Sequence, residues 1–167
     1  QDGQWRRLDS LELPARSQVS LGAVLPDDDR AFVYSEGFTT PRSLYLADAA
    51  GKVEKLAELP ARFDATRQVV EQYEAASRDG TKVPYFVVRP KDLKFDGSAP
   101  TLLYGYGGFQ VSMTPAYSGT IGKLWLEDGG VYVLANIRGG GEFGPAWHQA
   151  GLKTKRQLIY DDFIAVA

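Results

Sequence analysis

The chain has 167 residues, 44% hydrophobic and 24% charged, with a net charge of −2. That length suits one domain or parts of two, and the composition is that of a folded protein rather than a disordered one. The charge gives no drive toward nucleic acid or an anionic membrane, no apolar run approaches the roughly 20 residues of a membrane span, and the lack of cysteine removes disulfides and thiolate metal sites.

The first residues, Gln1-Asp2-Gly3-Gln4-Trp5, carry no Met and no basic-then-apolar signal pattern, so the start reads as a cut within a longer protein. Residues 1–60 read as short strands divided by turns. Val19, Leu21, Ala23 and Leu25 alternate with other residues, and Pro26-Asp27-Asp28-Asp29 makes a solvated turn. Further strands are expected at 31–35, 42–47 and 52–57, the last two joined through Asp48-Ala49-Ala50-Gly51. Four antiparallel strands in about 40 residues is the size of one β-propeller blade. One blade does not bury both faces alone, so neighbours are expected.

Leu59-Pro60-Ala61 reads as a linker, and the pattern then changes. Residues 68–76 and 82–89 read as a hairpin around Arg78-Asp79-Gly80. Two apolar runs, 101–104 and 131–137, look buried on both faces, as interior strands of a mixed or parallel sheet are. Between them, 119–128 suits a helix stopped by Gly129-Gly130. A last helix starts near Gln157, and the chain stops within it without a capping glycine. The second half is therefore the opening of an α/β fold.

Two glycine-rich loops follow the apolar runs. In Tyr104-Gly105-Tyr106-Gly107-Gly108-Phe109 the glycines let backbone approach a ligand. A loop at this place can supply half of an oxyanion hole, with the Tyr106 hydroxyl as donor and Phe109 as an aromatic wall. A donor of this kind stabilises a transition state by roughly 2.7–4 kcal/mol. The competing reading is a tight turn with packed aromatics. In the second loop, Gly139-x-Gly141-x-x-Gly144 matches a dinucleotide fingerprint in form. Glu142 would repel a pyrophosphate, however, and Pro145-Ala146-Trp147-His148 opens no long amphipathic helix, so a closely packed loop is the better reading.

His148 is the one histidine, and a packed role beside Trp147 is preferred to a catalytic one. No Gly-x-Ser-x-Gly elbow occurs, and Ser112 and Ser118 lack its strand-turn-helix context. Asp161-Asp162, near a helix start, read as dipole partners rather than a carboxylate pair. One histidine and no cysteine make no metal cluster.

Pro100-Thr101-Leu102-Leu103-Tyr104-Gly105-Tyr106-Gly107-Gly108-Phe109 strongly resembles the prolyl oligopeptidase family. So does Ala135-Asn136-Ile137-Arg138-Gly139-Gly140-Gly141-Glu142-Phe143-Gly144 followed by Trp147-His148. Ser77-Arg78-Asp79-Gly80-Thr81-Lys82-Val83-Pro84 looks like the start of the family's catalytic domain, and Phe38-Thr39-Thr40-Pro41 like a stretch near the end of its propeller. The resemblance implies the end of a β-propeller, its C-terminal blade or blades, over 1–60 and the first part of an α/β-hydrolase domain over 61–167. It implies a cofactor-free serine peptidase acting on short proline-containing peptides. By the same resemblance Tyr106 completes the oxyanion hole, Phe109 lines the proline pocket, Val111 borders it, and His148 is not the triad histidine. The family's nucleophile elbow and its triad Asp and His find no counterpart in the 167 residues, so the chain alone is expected to be inactive. The alternatives are an oligopeptidase B-like enzyme cleaving after basic residues, which typically carries Gly-Ser-Tyr in place of Gly107-Gly108-Phe109, and a non-catalytic peptide-binding module. Compartment, cytoplasmic or periplasmic, and oligomeric state stay open.

Overall fold

The computed structural model describes residues 10–24 and 27–167. The expectations placed on residues 1–5, on Leu25 and on Pro26 lie outside the described residues. Four antiparallel strands follow in sequence order, β1 (Gln18–Val24), β2 (Ala31–Glu36), β3 (Ser43–Ala47) and β4 (Val53–Glu58). Alternation along β2 and β3 puts Val33, Ser35, Ser43, Tyr45 and Ala47 on the inner face, where Leu11, Leu13 and Val53 join them. The β3–β4 turn is closed by Asp48, whose Oδ1 accepts the N–H of Ala50 at 3.0 Å and of Lys52 at 2.9 Å. Val19, Leu21, Val24 and Leu56 remain exposed on the two outer strands. A lone four-stranded meander has no second layer to cover such side chains.

The second sheet begins with a hairpin of two nine-residue strands, β5 (Gln68–Ala76) against β6 (Lys82–Pro90). Ser77 and Thr81 close it by a 2.8 Å backbone bond, with Gly80 at φ 82°. β7 (Thr101–Gly105) and β8 (Val131–Ala135) run parallel, and β8 also pairs antiparallel with β6, giving the order β5-β6-β8-β7. One face of this sheet carries Val88 and Leu134, covered by Phe38, Phe63 and Leu126. The other carries Val83, Ala135 and Ile137 beneath Ile159 of α3 (Gln157–Val166), with Phe163 and Val166 alongside. Phe38 comes from the β2–β3 loop of the first sheet. Its ring lies 5.5 Å from Phe86 and 5.9 Å from Tyr132.

Two expectations change. β8 is buried as expected, but Leu102 and Tyr104 of β7 are exposed. β7 is the outer strand of its sheet, and among the described residues it pairs with β8 alone. The helix expected over 119–128 is one α turn, α1 (Gly119–Ile121), continued by a π-helical turn over Gly122–Leu126. Its wider ring closes from the Glu127 N–H to the Gly122 carbonyl at 3.0 Å. Leu126 thereby enters the core, while the Trp125 indole N–H reaches the Val131 carbonyl at 2.9 Å.

Candidate functional site

Because β7 and β8 are parallel, the loops after them leave at the same edge of the sheet, the carboxyl edge where open α/β sheets place ligands. The turn after β7 carries Tyr106, 45% exposed, and Phe109, 86% exposed, with ring centroids 6.5 Å apart. The backbone turns through the left-handed region at Gly107, Phe109 and Gln110, with φ 59°, 51° and 57°. A side chain at Gly107 would meet Ile137 Cγ1 at 2.7 Å and Ile159 Cγ2 at 2.8 Å, so the turn sits directly on the core beneath. Tyr106, Phe109 and Gln110 border a cavity of about 490 Å³ whose other walls include His148, Leu152 and Arg156. Val111, also exposed, follows the turn and is not part of that cavity wall.

The turn is held by the loop after β8. Gln110 N–H donates to the Gly139 carbonyl at 3.3 Å, and Gly141 N–H donates to the Val111 carbonyl at 3.1 Å. The N–H of Met113 donates to Glu142 Oε1 at 2.9 Å, and Asn136 Nδ2 donates to the Met113 carbonyl at 2.7 Å. A side chain at Gly139 would collide with the carbonyl of Gly107, which is why this position, at φ 92°, takes glycine. The glycines here let two stretches of backbone touch. With residues 110–113 lying on the loop, the dinucleotide form of the motif has no room for a pyrophosphate. The helix that follows, α2 (Pro145–Gln149), has five residues.

His148 sits at the same edge with Nδ1 2.7 Å from the Gly139 carbonyl, the arrangement of a ring N–H donating to backbone. Beside it the Trp147 indole N–H donates to the Ile137 carbonyl at 3.2 Å, and Phe143 meets Trp147 edge-on at 5.0 Å. Ser118 caps α1, its Oγ accepting the Ile121 N–H at 3.2 Å, and Ser112 is exposed. Among the described residues no group of three or more acidic or histidine side chains is placed to hold a metal ion.

The largest departure concerns charge. Asp162 is not a dipole partner at the helix start. It lies in the sixth position of α3, fully buried, and pairs with Arg138, whose side chain is 5% exposed. Arg138 Nε donates to Asp162 Oδ2 at 2.9 Å and Nη2 to Oδ1 at 2.6 Å, a two-pronged pair, while the Arg138 backbone N–H donates to Oδ2 at 3.0 Å. On its other side Arg138 donates to Asp79 Oδ2 at 2.6 Å and Oδ1 at 3.2 Å, and to Ser77 Oγ at 3.3 Å. The Asp162 hydrogen bond holds the guanidinium above its ordinary range against desolvation. The Arg138 hydrogen bond holds the Asp79 carboxyl well below the usual carboxylate range, helped by the Thr81 N–H. Asp161, by contrast, is surface-facing and accepts from Gln157 Nε2 at 3.0 Å.

Comparison with known proteins bears on this geometry. The model described as the prolyl oligopeptidase family matches residues 115–167. The chain is 59% identical over 166 residues to the uncharacterized peptidase y4nA of Sinorhizobium fredii, covering 99% of this chain and 23% of that protein. It superposes on a prolyl endopeptidase, solved in a study of inter-domain dynamics in catalysis and specificity, with a TM-score of 0.85 at 49% identity, over 93% of this chain and 23% of that one. A post-proline cleaving enzyme from Rickettsia typhi gives a TM-score of 0.83 at 40% identity, over 99% and 24%. The chain thus spans about a quarter of the length of the proteins it matches.

Proposed function

We propose that this chain, which belongs to the prolyl oligopeptidase family, supplies one wall and one oxyanion donor to a serine peptidase that cleaves short peptides after proline. The proposed whole pairs the last blade of a propeller, residues 1–60, with the opening of an α/β-hydrolase domain, residues 61–167. The nucleophile is assigned to the rest of the proposed protein, since these residues contain no Gly-x-Ser-x-Gly elbow, and its histidine and aspartate are proposed to lie there with it. The observation that carries the reading is the exposed Tyr106–Phe109 turn at the carboxyl edge of two parallel strands.

The chemistry follows from that placement. A serine hydroxyl gives its proton to histidine and attacks the carbonyl carbon of the proline residue. The carbonyl π bond opens and negative charge gathers on oxygen. The Tyr106 phenol donates to that oxygen, more strongly than to the neutral carbonyl it replaces. Collapse expels the amine, which takes the proton from histidine, and water later releases the acyl group by the same steps in turn. Phe109 offers an apolar ring to the proline side chain, and Val111 borders the same approach.

The test uses the full-length protein that contains this chain. Tyr106→Phe is expected to lower kcat on a proline-site reporter peptide by roughly 10²–10³-fold, the cost of one oxyanion donor. The same protein is expected to prefer the proline reporter over one cleaved after arginine. An arginine preference would favour the oligopeptidase B-like reading, and an unchanged kcat in Tyr106→Phe would remove the oxyanion role.

A further inference from the structure

The reaction just described uses no part of Arg138, yet this arginine is the most heavily bonded side chain at the carboxyl edge of the sheet. Its partners come from two places, Ser77 and Asp79 from the β5–β6 turn and Asp162 from the middle of α3, and Asp162 also accepts the Arg138 backbone N–H at the exit of β8. The residues that follow it are the ones that bracket the turn bearing Tyr106. Gly139 accepts from Gln110 and packs on Gly107, Gly141 donates to Val111, and Glu142 accepts from Met113. The turn 107–111, left-handed at Gly107, Phe109 and Gln110, has one backbone bond within itself, from Val111 N–H to the Gly108 carbonyl at 3.0 Å. Its placement therefore depends on the 139–142 loop as well as on Ile137 and Ile159 beneath it, and that loop starts at Arg138.

We propose that Arg138, clamped between Asp162 and Asp79, is a positioning residue that sets the Tyr106 hydroxyl where the oxyanion forms. The inference rests on the oxyanion reading of Tyr106. A fixed planar fork bonded on both sides leaves the residue after it little freedom, and displacement of a catalytic group by about 1 Å can cost on the order of a hundredfold in rate. Asp79 is the natural handle. Its side chain is 38% exposed, it does not line the cavity beside Tyr106, and its loss is expected to leave the Arg138–Asp162 pair in place.

The experiment is a double-mutant cycle in the full-length protein, read as kcat on a proline-site reporter, with thermal midpoints for every variant. Asp79→Asn is expected to lower kcat roughly tenfold in the parent protein. In the Tyr106→Phe background the same change is expected to alter kcat by less than about twofold, because the donor it acts through is gone. Asp79→Glu, which keeps the charge, is expected to recover most of the lost rate. Equal losses in both backgrounds would show a general structural effect and overturn the positioning role, as would no loss in the parent. If Asp79→Asn does not fold, Asp79→Ser, whose hydroxyl can still accept the Thr81 N–H, carries the same cycle, and equal losses in both backgrounds there overturn the proposal equally. A Tyr106→Phe variant with unchanged kcat is a different failure, since it takes down the oxyanion reading and this inference with it.

Discussion

At Gly107 the backbone takes φ 59°, and the space a side chain would need is already filled by Ile137 and Ile159. The left-handed conformation alone is tolerable, since Phe109 and Gln110 adopt it nearby. A bulkier residue can satisfy φ here, but not without moving two core side chains. Gly107→Ala therefore combines backbone cost with overpacking, and is expected to lower stability by about 1–3 kcal/mol in a denaturant titration of the full-length protein. Because the turn must lift off the core, kcat on a proline reporter is expected to fall as well. Full activity at unchanged stability would show that the turn tolerates a shift of that size. The glycines, Tyr106 and Phe109 were all legible as a strand-exit loop, because glycine spacing is a local signal. Arg138 was not. Nothing near it in sequence marks it, and its partners lie 59 and 24 positions away. Asp79 read as turn chemistry and does bond the Thr81 N–H at 3.1 Å, so its second role was hidden behind a correct first one. Asp162 lies close to a helix start in sequence, but the sixth residue of that helix faces the buried Arg138, a direction that nearness to the helix start does not disclose.

The strands were readable for a related reason. Period-two alternation, Asp48-x-x-Gly51 and Arg78-Asp79-Gly80 are signals within a few residues, and the four-strand meander and the β5–β6 hairpin form as those signals dictate. The apolar run of β7 predicted burial, but burial depends on what lies next to a strand, and composition does not say. β7 lies at the outside of the order β5-β6-β8-β7, with half of its N–H and C=O groups turned away from β8. An apolar outer strand of this kind is a site for another strand to pair. In the 167-residue chain, hydrogen exchange of the β7 amides facing away from β8 is expected to be fast, while amides of β8, bonded on both sides, are protected. In the longer proposed protein the same β7 amides are expected to be slow. Rapid exchange there too would mean that the strand stays at an edge, and the sheet would not extend toward a nucleophile beyond it.

Across the whole molecule, two sheets built by separate local rules are joined by few contacts. The connection at residues 59–62 is exposed. What ties the halves together is Phe38, sent from the first sheet into the core of the second. Beside it lies the linker's Phe63, stacked on Tyr117 at 5.3 Å with an 18° interplanar angle. Glu36 Oε2 lies 3.5 Å from the Tyr117 N–H, at the limit of a hydrogen bond, so the tie is mainly apolar. The Phe-Thr-Thr-Pro stretch read as a loop between strands, which it is, but a loop's conformation does not disclose that its aromatic leads into a neighbouring layer. Phe38 is 7% exposed, and its replacement by alanine removes a full aromatic from a core with little means to collapse around the gap. Phe38→Ala is expected to destabilise the full-length protein by about 3–5 kcal/mol. The loss has a direction as well as a size. With the plug gone, the first sheet keeps its own inner face of Val33, Tyr45 and Ala47 but loses its purchase on the second. Limited proteolysis is therefore expected to cut first within residues 59–62 and to release the two halves before either is degraded. Cutting spread evenly over both sheets, or a stability loss below about 1 kcal/mol, would show that Phe38 fills space without holding the halves together.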